Sequence, residues 1–311
     1  MVNDKIKSIS FKRRMEYASF VSENYPLVYI ETPKCACSTL KSMMLSLDDV
    51  NILRKQVGLE SSLDMSIHNR KIHPIKSLVD HKDTEIKKIL KSEQYTRFTI
   101  VRNPYARLAS CWSDKIRQGE PAYIEICNVI NNFHGKLSND VVTFREFVLW
   151  IESTENLADC NYHWMPMINL LHTDVMNYTD IVKTEDFKYG MEKILERIGI
   201  SKNKMHDLLS FRVNESIPCD WRALYDEELA KIVYRLYKDD FIEFSYDVDS
   251  WVENEKIQTF DELILKHRNL EQKSLALVRA RNETISELSK RNIFRRIKEK
   301  AYKVKVKVIS R

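Results

Sequence analysis

Short apolar runs, each followed by a loop and then by a helical stretch, dominate the first two thirds of the sequence. Leu27–Glu31 and Phe98–Val101 have the length and character of buried strands, and Tyr178–Lys183 is predicted as a third strand. The stretches with helical spacing that follow them begin near Ser38, Pro104 and Phe187. This alternation predicts an α/β fold in which helices flank a parallel sheet.

Further amphipathic segments extend this pattern before the composition changes. Helices are predicted over Thr84–Ser92 and Thr143–Ile151 and along an apolar stripe from Leu229 to Phe241. From about Phe260 the apolar positions thin out and basic residues accumulate. We therefore predict a folded domain over residues 1–254 and a helical extension with a basic tail over residues 255–311.

The segment after the first predicted strand, ETPKCACSTLK at residues 31–41, is suited to holding an anion. Small side chains let backbone N–H groups turn toward a ligand, and the start of a helix adds a favourable dipole. Lys34 can reach the same anion as a point charge, and Ser38 or Thr39 can cap the helix and donate a hydroxyl. A capped helix beside a surface lysine is the structural alternative for the same residues.

The scarcity of glycine excludes the common phosphate-binding loops. The chain has five glycines, of which no two are spaced as in GxGxxG and none lies in a GxxxxGK motif. A phosphate cradle must therefore be built from other small residues. In the segment above these are Cys35, Ala36 and Cys37.

The second strand–loop–helix unit, FTIVRNPYARLASCW at residues 98–112, places an arginine at a strand end. Arg102 lies at the carboxyl edge of the predicted sheet, where open α/β sheets bind ligands. Asn103 followed by Pro104 predicts a helix start, and Ser110 lies two turns further on. A guanidinium and a hydroxyl suit a phosphate, whereas a salt bridge and a back-bonded hydroxyl are their structural alternatives.

These two units resemble the nucleotide-binding motifs of the family 2, carbohydrate-type sulfotransferases, and the resemblance covers about residues 25–247. It implies a P-loop-nucleotidase-like fold. It also implies transfer of a sulfuryl group from 3′-phosphoadenosine-5′-phosphosulfate (PAPS) to a hydroxyl of a carbohydrate or glycolipid. A non-catalytic nucleotide-binding module of the same fold is the alternative. The further segments that fit in order are NYHWMP at 161–166, DIVKTEDF at 180–187, FRVNES at 211–216 and LYDEELAKIVYRLYKDDFIEFSY at 224–246.

The resemblance assigns roles to individual residues. In that family the first loop holds the 5′-phosphosulfate of PAPS, and the Arg and Ser of the second motif, here Arg102 and Ser110, hold its 3′-phosphate. Lys34 would stabilise the leaving oxygen. No metal is expected, because a sulfuryl group carries less charge than a phosphoryl group. The loop residues implied are Lys34, Cys35, Ala36, Cys37, Ser38 and Thr39.

A general base must take the proton of the acceptor hydroxyl, and the resemblance directs attention to IHNRKIHPIKSLVDH at residues 67–81. His68 is our first choice, with His73, His81 or an acidic group elsewhere as alternatives. His163 is a further candidate that could contact the acceptor, although packing beside Trp164 is its more ordinary role.

Charge is distributed unevenly along the chain. The net charge is +5, yet residues 290–311 contain ten Lys or Arg and a single acid, Glu299, so the rest of the chain is net acidic. The apolar residues Ile293, Phe294 and Ile297 lie among these basic residues, as in an interfacial helix. The tail is therefore predicted to contact an anionic membrane surface, with a solvated tail as the alternative and no nucleic-acid partner.

Cysteine usage and hydropathy predict a cytoplasmic location, at the inner membrane face if the tail binds lipid. The N-terminal segment has no apolar signal core, and no run approaches the length of a spanning helix. The animal members of the resembled family are Golgi enzymes with a membrane anchor and luminal disulfides, so this chain resembles a bacterial-type cytoplasmic member. The six cysteines, which show no metal-ligand spacing and are expected to be reduced, are at positions 35, 37, 111, 127, 160 and 219.

Overall fold

The centre of the fold is a mostly parallel sheet. The computed structural model describes residues 9–49, 75–118, 121–138, 140–153, 156–210 and 220–252. Its sheet has the strand order β1–β2–β3–β4, in which β1 is antiparallel to β2 while β2, β3 and β4 are parallel. The predicted α/β class with a parallel sheet is thereby confirmed. The strands are β1 (Ser19–Val21), β2 (Leu27–Ile30), β3 (Thr96–Val101) and β4 (Asp180–Lys183).

Helices flank this sheet and supply the connections between its parallel strands. A π-helical segment, Trp112–Arg117, continues directly from the helix that follows β3. No helix in the described ranges is long and apolar enough to cross a membrane. The α-helices are α1 (Ile9–Ala18), α2 (Cys37–Leu47), α3 (Asp83–Lys91), α4 (Pro104–Cys111), α5 (Ile124–Phe133), α6 (Phe144–Glu152), α7 (Met167–Leu171), α8 (Phe187–Arg197), α9 (Lys202–Ser210), α10 (Glu227–Leu236) and α11 (Lys238–Glu243).

The strands that position the site are buried along their whole length. Every residue of β2 and of β3 is buried, as expected for parallel strands covered on both faces. One apolar cluster surrounds these strands and includes Cys35 and Leu40 from the next connection. A second cluster packs around α4, α6 and α10 and includes Tyr105 and Leu108. Both predicted strand–loop–helix units therefore pack into buried apolar clusters.

Most predicted elements are confirmed with small shifts at their ends. The apolar stripe from Leu229 to Phe241 forms two helices instead of one, because the chain leaves the helical conformation at Tyr237. Helix α1 and strand β1 were not predicted from the sequence. A strand of three residues is too short to show a period, and it directly follows a helix. The extension at 255–311 and its boundary lie outside the described residues, as does FRVNES at 211–216.

Candidate functional site

The two predicted motifs meet at one edge of the sheet. Strands β2 and β3 are adjacent and parallel, so the loops that leave their carboxyl ends lie side by side. Residues 31–36 form the β2–α2 loop, and Arg102 follows β3 immediately. The Nη1 group of Arg102 donates a hydrogen bond to the carbonyl oxygen of Lys34 at 3.3 Å. This contact joins the two sequence motifs in the folded protein.

The β2–α2 loop adopts a backbone conformation that usually requires glycine. Lys34 has φ 69° and Ala36 has φ 58°, whereas Cys35 between them does not have a positive φ. A residue with a Cβ costs about 1–2 kcal/mol in this left-handed region. Alternation of this kind turns successive N–H groups toward one side and makes an anion-binding concavity. The loop thus obtains from lysine and alanine a shape that other phosphate-binding loops obtain from glycine.

Helix α2 begins one residue earlier than predicted. Its N-cap residue is Ala36, which provides no side-chain cap. The prediction that Ser38 or Thr39 caps the helix is wrong, because both residues already lie inside the first turn. The N–H groups of a first turn have no acceptor within their own helix, so the positive end of α2 faces the loop.

Lys34 and Lys115 converge on one carboxylate. The Lys34 Nζ atom lies 2.8 Å from Asp114 Oδ2, and the Lys115 Nζ atom lies 3.2 Å from the same oxygen. Burial by itself raises the pKa of Asp114, but the charges and hydrogen bonds of the two lysines outweigh it and bring the pKa below its usual value. Asp114 lies on the π-helical segment and was not singled out from the sequence. The Lys34 side chain is therefore held in place by its ion pair with Asp114.

The two loop cysteines contribute through their backbone and not as reactive thiols. Burial raises the pKa of Cys35 to about 12, and burial also raises the pKa of Cys37. Both thiols are protonated at neutral pH, and the Cys35 side chain packs into the apolar cluster around the sheet. Any contact of these residues with an anion would thus come from their N–H groups, and the Cys35 N–H would first have to leave the Thr32 carbonyl oxygen, to which it donates at 3.2 Å.

The second motif forms the predicted helix start. Asn103 caps α4 because its side-chain oxygen accepts hydrogen bonds from the N–H groups of Tyr105 and Ala106, and Pro104 is the first helical residue. Arg102 is partly buried, and this burial lowers the pKa of its guanidinium. Ser110 is buried near the end of α4. Both residues predicted to hold a phosphate thus belong to one short rigid unit.

Arg107 is a site-building residue that the sequence analysis missed. It is 2% exposed and donates from Nε to the carbonyl oxygen of Pro33 at 3.1 Å. The same guanidinium donates from Nη1 to Met165 O at 2.8 Å and from Nη2 to Tyr162 O at 3.2 Å. It therefore fastens the β2–α2 loop to the segment 161–165. Arginine is a residue type that is mostly exposed, so no signal in the sequence indicated this buried role.

A buried ion pair holds the base of the loop. Lys41 Nζ on α2 lies 2.8 Å from Glu31 Oε2 at the end of β2, and the two side chains are 1% and 4% exposed. Arg14 on α1 donates from Nη2 to the carbonyl oxygen of Glu31. Lys41 also lies 5.3 Å above the ring of Phe20 on β1. Elements on three sides thus fix the start of the loop.

The histidines predicted as bases fall in different places. His68 and His73 lie outside the described residues. His81 Nδ1 lies 3.6 Å from Glu85 Oε2. The turn before it, at residues 78–80, is attached to β1, because the Leu78 N–H donates to Ser19 Oγ at 2.8 Å.

His163 lies in the segment that Arg107 fastens to the loop. Its Nδ1 atom is 2.8 Å from the Tyr123 hydroxyl and 2.9 Å from Asn161 Oδ1. Burial, followed by the charges of Lys115 and Lys34, lowers the pKa of His163 to about 3. A neutral imidazole is therefore present beside two cations.

Comparison with known proteins identifies the same region of the chain. Residues 17–247 match the family described as "Sulfotransferase family". Mouse carbohydrate sulfotransferase 12 is 25% identical over 250 residues, which are 73% of this chain and 59% of that protein. Mouse carbohydrate sulfotransferase 11 is 24% identical over 261 residues, 75% of this chain and 68% of that protein. Human carbohydrate sulfotransferase 9 is 23% identical over 242 residues, 73% of this chain and 52% of that protein.

The matched region spans between about half and two thirds of each of these relatives. No solved structure matches the chain at a significant level. Within the ranges that the structure describes, no group of three or more His, Cys, Asp or Glu side chains is placed to hold a metal ion. The family match over residues 17–247 includes the β2–α2 loop.

Proposed function

The chain belongs to the sulfotransferase family, and from that premise we propose that it transfers a sulfuryl group from PAPS to a hydroxyl of a carbohydrate. The observation that carries this proposal is the β2–α2 loop. Its glycine-free left-handed turn, the start of α2 and Lys34 converge at the carboxyl edge of the sheet, beside Arg102. The carbohydrate acceptor is supported by the names of the relatives above, all of which are carbohydrate sulfotransferases.

In this proposal the backbone of residues 34–39 and the start of α2 bind the 5′-phosphosulfate. Arg102 and Ser110 bind the 3′-phosphate. Lys34 stabilises the charge that develops on the leaving phosphate oxygen. Because the donor brings negative charge next to Asp114, Lys34 moves from that carboxylate to the donor. No metal takes part.

The reaction is a single in-line displacement at sulfur. The acceptor oxygen forms a bond to sulfur while the bond from sulfur to the 5′-phosphate oxygen breaks, and adenosine 3′,5′-bisphosphate leaves. The hydroxyl proton passes to a general base. His68 stays our prediction for that base, and it lies outside the described residues.

Location and membrane contact form a further part of the proposal. Five cysteines in the described ranges are free thiols, which supports a reducing compartment and hence the cytoplasm. The charge of residues 290–311 supports contact with an anionic membrane, where the acceptor would be a lipid-linked glycan. Flotation with anionic liposomes tests this part: the full chain should float and a chain ending at Ser289 should not. Equal flotation of the two would contradict the membrane role.

The enzymatic proposal is tested by incubating the full chain with PAPS and a pool of glycans. Mass spectrometry should show a product heavier by one SO₃ group, together with release of adenosine 3′,5′-bisphosphate. Binding of that nucleotide without any sulfated product would instead support a non-catalytic nucleotide-binding module.

A further inference from the structure

The side chain of His163 is held in one defined tautomer. The backbone N–H of His163 donates to Asn161 Oδ1 at 3.0 Å, which identifies that amide atom as an oxygen. The same oxygen lies 2.9 Å from His163 Nδ1. Two lone pairs cannot face each other at this distance, so Nδ1 carries the proton and donates it. Nε2 is then left as an unprotonated acceptor.

The second contact of the ring is compatible with this tautomer. The Tyr123 hydroxyl oxygen lies 2.8 Å from His163 Nδ1 and can share its proton, because a hydroxyl oxygen also accepts. The Tyr123 ring packs edge-on against the imidazole at 5.7 Å between centroids. Among the described residues Nε2 has no hydrogen-bond partner, and His163 is only partly buried. The ring is thus fixed on one side and open on the other.

His163 lies near the β2–α2 loop. Arg107 binds Tyr162 O and Met165 O, on either side of His163, with the same guanidinium that binds Pro33 O next to Lys34. A second connection runs through Lys115, which shares Asp114 with Lys34 and lies 5.6 Å above the Tyr123 ring. Two independent sets of contacts therefore place His163 next to the lysine of the proposed site.

The unprotonated Nε2 of His163 can bind a hydroxyl of the acceptor, but it does not suit the negatively charged groups of PAPS. The Nε2 lone pair would repel the oxygens of a sulfate or phosphate, for which cations and N–H groups are already present in the loop. A hydroxyl can donate to it. The geometry points to His163 as an acceptor-binding residue whose Nε2 accepts a hydrogen bond from a hydroxyl of the carbohydrate. This inference rests on the proposed function and names a contact on its acceptor side.

Burial and the nearby positive charges keep the His163 ring in the neutral form that this role needs. Burial and then the charges of Lys115, Lys34 and Arg107 lower the pKa of His163 to about 3, while Glu31 acts in the opposite direction. A protonated imidazolium could only donate hydrogen bonds. Because hydroxyl and carbonyl oxygens both accept hydrogen bonds, it would not distinguish one from the other. His163 is therefore a neutral acceptor throughout the physiological pH range.

The first test is spectroscopic and requires no turnover. Nitrogen-15 NMR of the full chain labelled at histidine should show one ring with a protonated Nδ1 and a bare Nε2 that does not titrate between pH 5 and 8. This signal should be missing from His163→Gln. A His163 ring protonated at Nε2, or one that titrates in that range, would overturn the inference.

The second test separates acceptor binding from donor binding. His163→Leu should raise the acceptor KM about five- to tenfold, the loss expected for one neutral hydrogen bond, with unchanged affinity for adenosine 3′,5′-bisphosphate by calorimetry. His163→Gln offers an amide oxygen near the position of Nε2 and should restore most of this loss. The matched control is His134→Leu, because His134 is another partly buried histidine, whose Nε2 contacts the Glu146 carbonyl oxygen.

The possible results distinguish this inference from the proposed function on which it rests. A wild-type chain that transfers no sulfuryl group overturns the proposed function and the acceptor assignment together. A wild-type chain that transfers it, with the same acceptor KM in His163→Leu and His134→Leu, overturns only the inference. If His163→Leu does not fold, the comparison of wild type with His163→Gln and the NMR tautomer decide the question.

Discussion

Replacing Arg107 by lysine tests whether the proposed site is held together by one buried guanidinium. The wild-type side chain reaches three backbone carbonyls, those of Pro33, Tyr162 and Met165, with three different nitrogen atoms. A lysine keeps the positive charge but offers a single nitrogen on a narrower stem. We therefore expect Arg107→Lys to leave two of the three carbonyls without a partner.

The size of the effect follows from the burial of these groups. Arg107 is 2% exposed, and its hydrogen bonds to Pro33 O and Met165 O are buried, whereas the one to Tyr162 O is partly buried. A buried polar group left without its hydrogen bond costs about 1–3 kcal/mol. At least one of the two carbonyls that lose Arg107 is then fully buried, which predicts a decrease of at least about 1–3 kcal/mol in the free energy of unfolding, a large part of the stability of a typical domain.

Urea unfolding followed by circular dichroism measures this decrease, and Arg145→Lys is the matched control. Arg145 also makes several contacts, with Asp226 and Glu228, but it is 42% exposed and they are surface ion pairs. Its replacement should cost less than about 1 kcal/mol. Arg107→Lys should in addition weaken binding of adenosine 3′,5′-bisphosphate. The lost contact is with Pro33, which directly precedes Lys34 in the loop that is proposed to bind the nucleotide. Equal stability of the two variants would refute the reasoning.

Three further predictions concern donor binding, the base of the loop and pH. Arg102→Ala and Ser110→Ala should raise the donor KM with little change in kcat, because the 3′-phosphate is unchanged in the reaction; a fall in kcat at constant affinity would place them at the reacting centre. Lys41→Met should lower the free energy of unfolding in urea by about 3–5 kcal/mol, since it removes the lysine that forms a buried ion pair with the Glu31 carboxylate, and a cost below about 1 kcal/mol would contradict this. Burial raises the pKa of Asp240 from 3.8 to about 6, so the folded state binds more protons between these values. Stability should therefore fall by up to about 3 kcal/mol as pH rises from 4 to 6, and this dependence should disappear in Asp240→Asn.

The parts of the fold that depend on local sequence were predictable. Fully buried strands produce uninterrupted apolar runs, which is why β2 and β3 were recognised. The Asn103–Pro104 helix start depends on contacts within a few residues, and it was predicted correctly. The position of Arg102 directly after a buried strand was likewise predicted correctly.

The parts that depend on distant contacts were not predictable from one sequence. Arg107 and Asp114 become visible as site residues only when their partners, many positions away, are brought beside them. The left-handed conformation of Lys34 and Ala36 runs against the intrinsic preference of both residue types, so local propensity gives no sign of it. The start of α2 was misplaced for the same reason, because Ala36 is not a residue that usually precedes a helix.

The rate of sulfuryl transfer by Lys34→Ala tests the central claim most directly. Lysine at this position is proposed to stabilise the leaving oxygen, and removal of such a group costs roughly 10²-fold or more in rate. The matched control is Lys76→Ala, because Lys76 also lies 2.8 Å from a carboxylate, that of Glu23, at the opposite edge of the sheet. With PAPS at saturation and a glycan acceptor, Lys34→Ala should lose at least this factor in kcat while it unfolds at the wild-type urea concentration, and Lys76→Ala should match wild type. A Lys34→Ala chain with near wild-type kcat would contradict the assignment of the β2–α2 loop as the site of transfer.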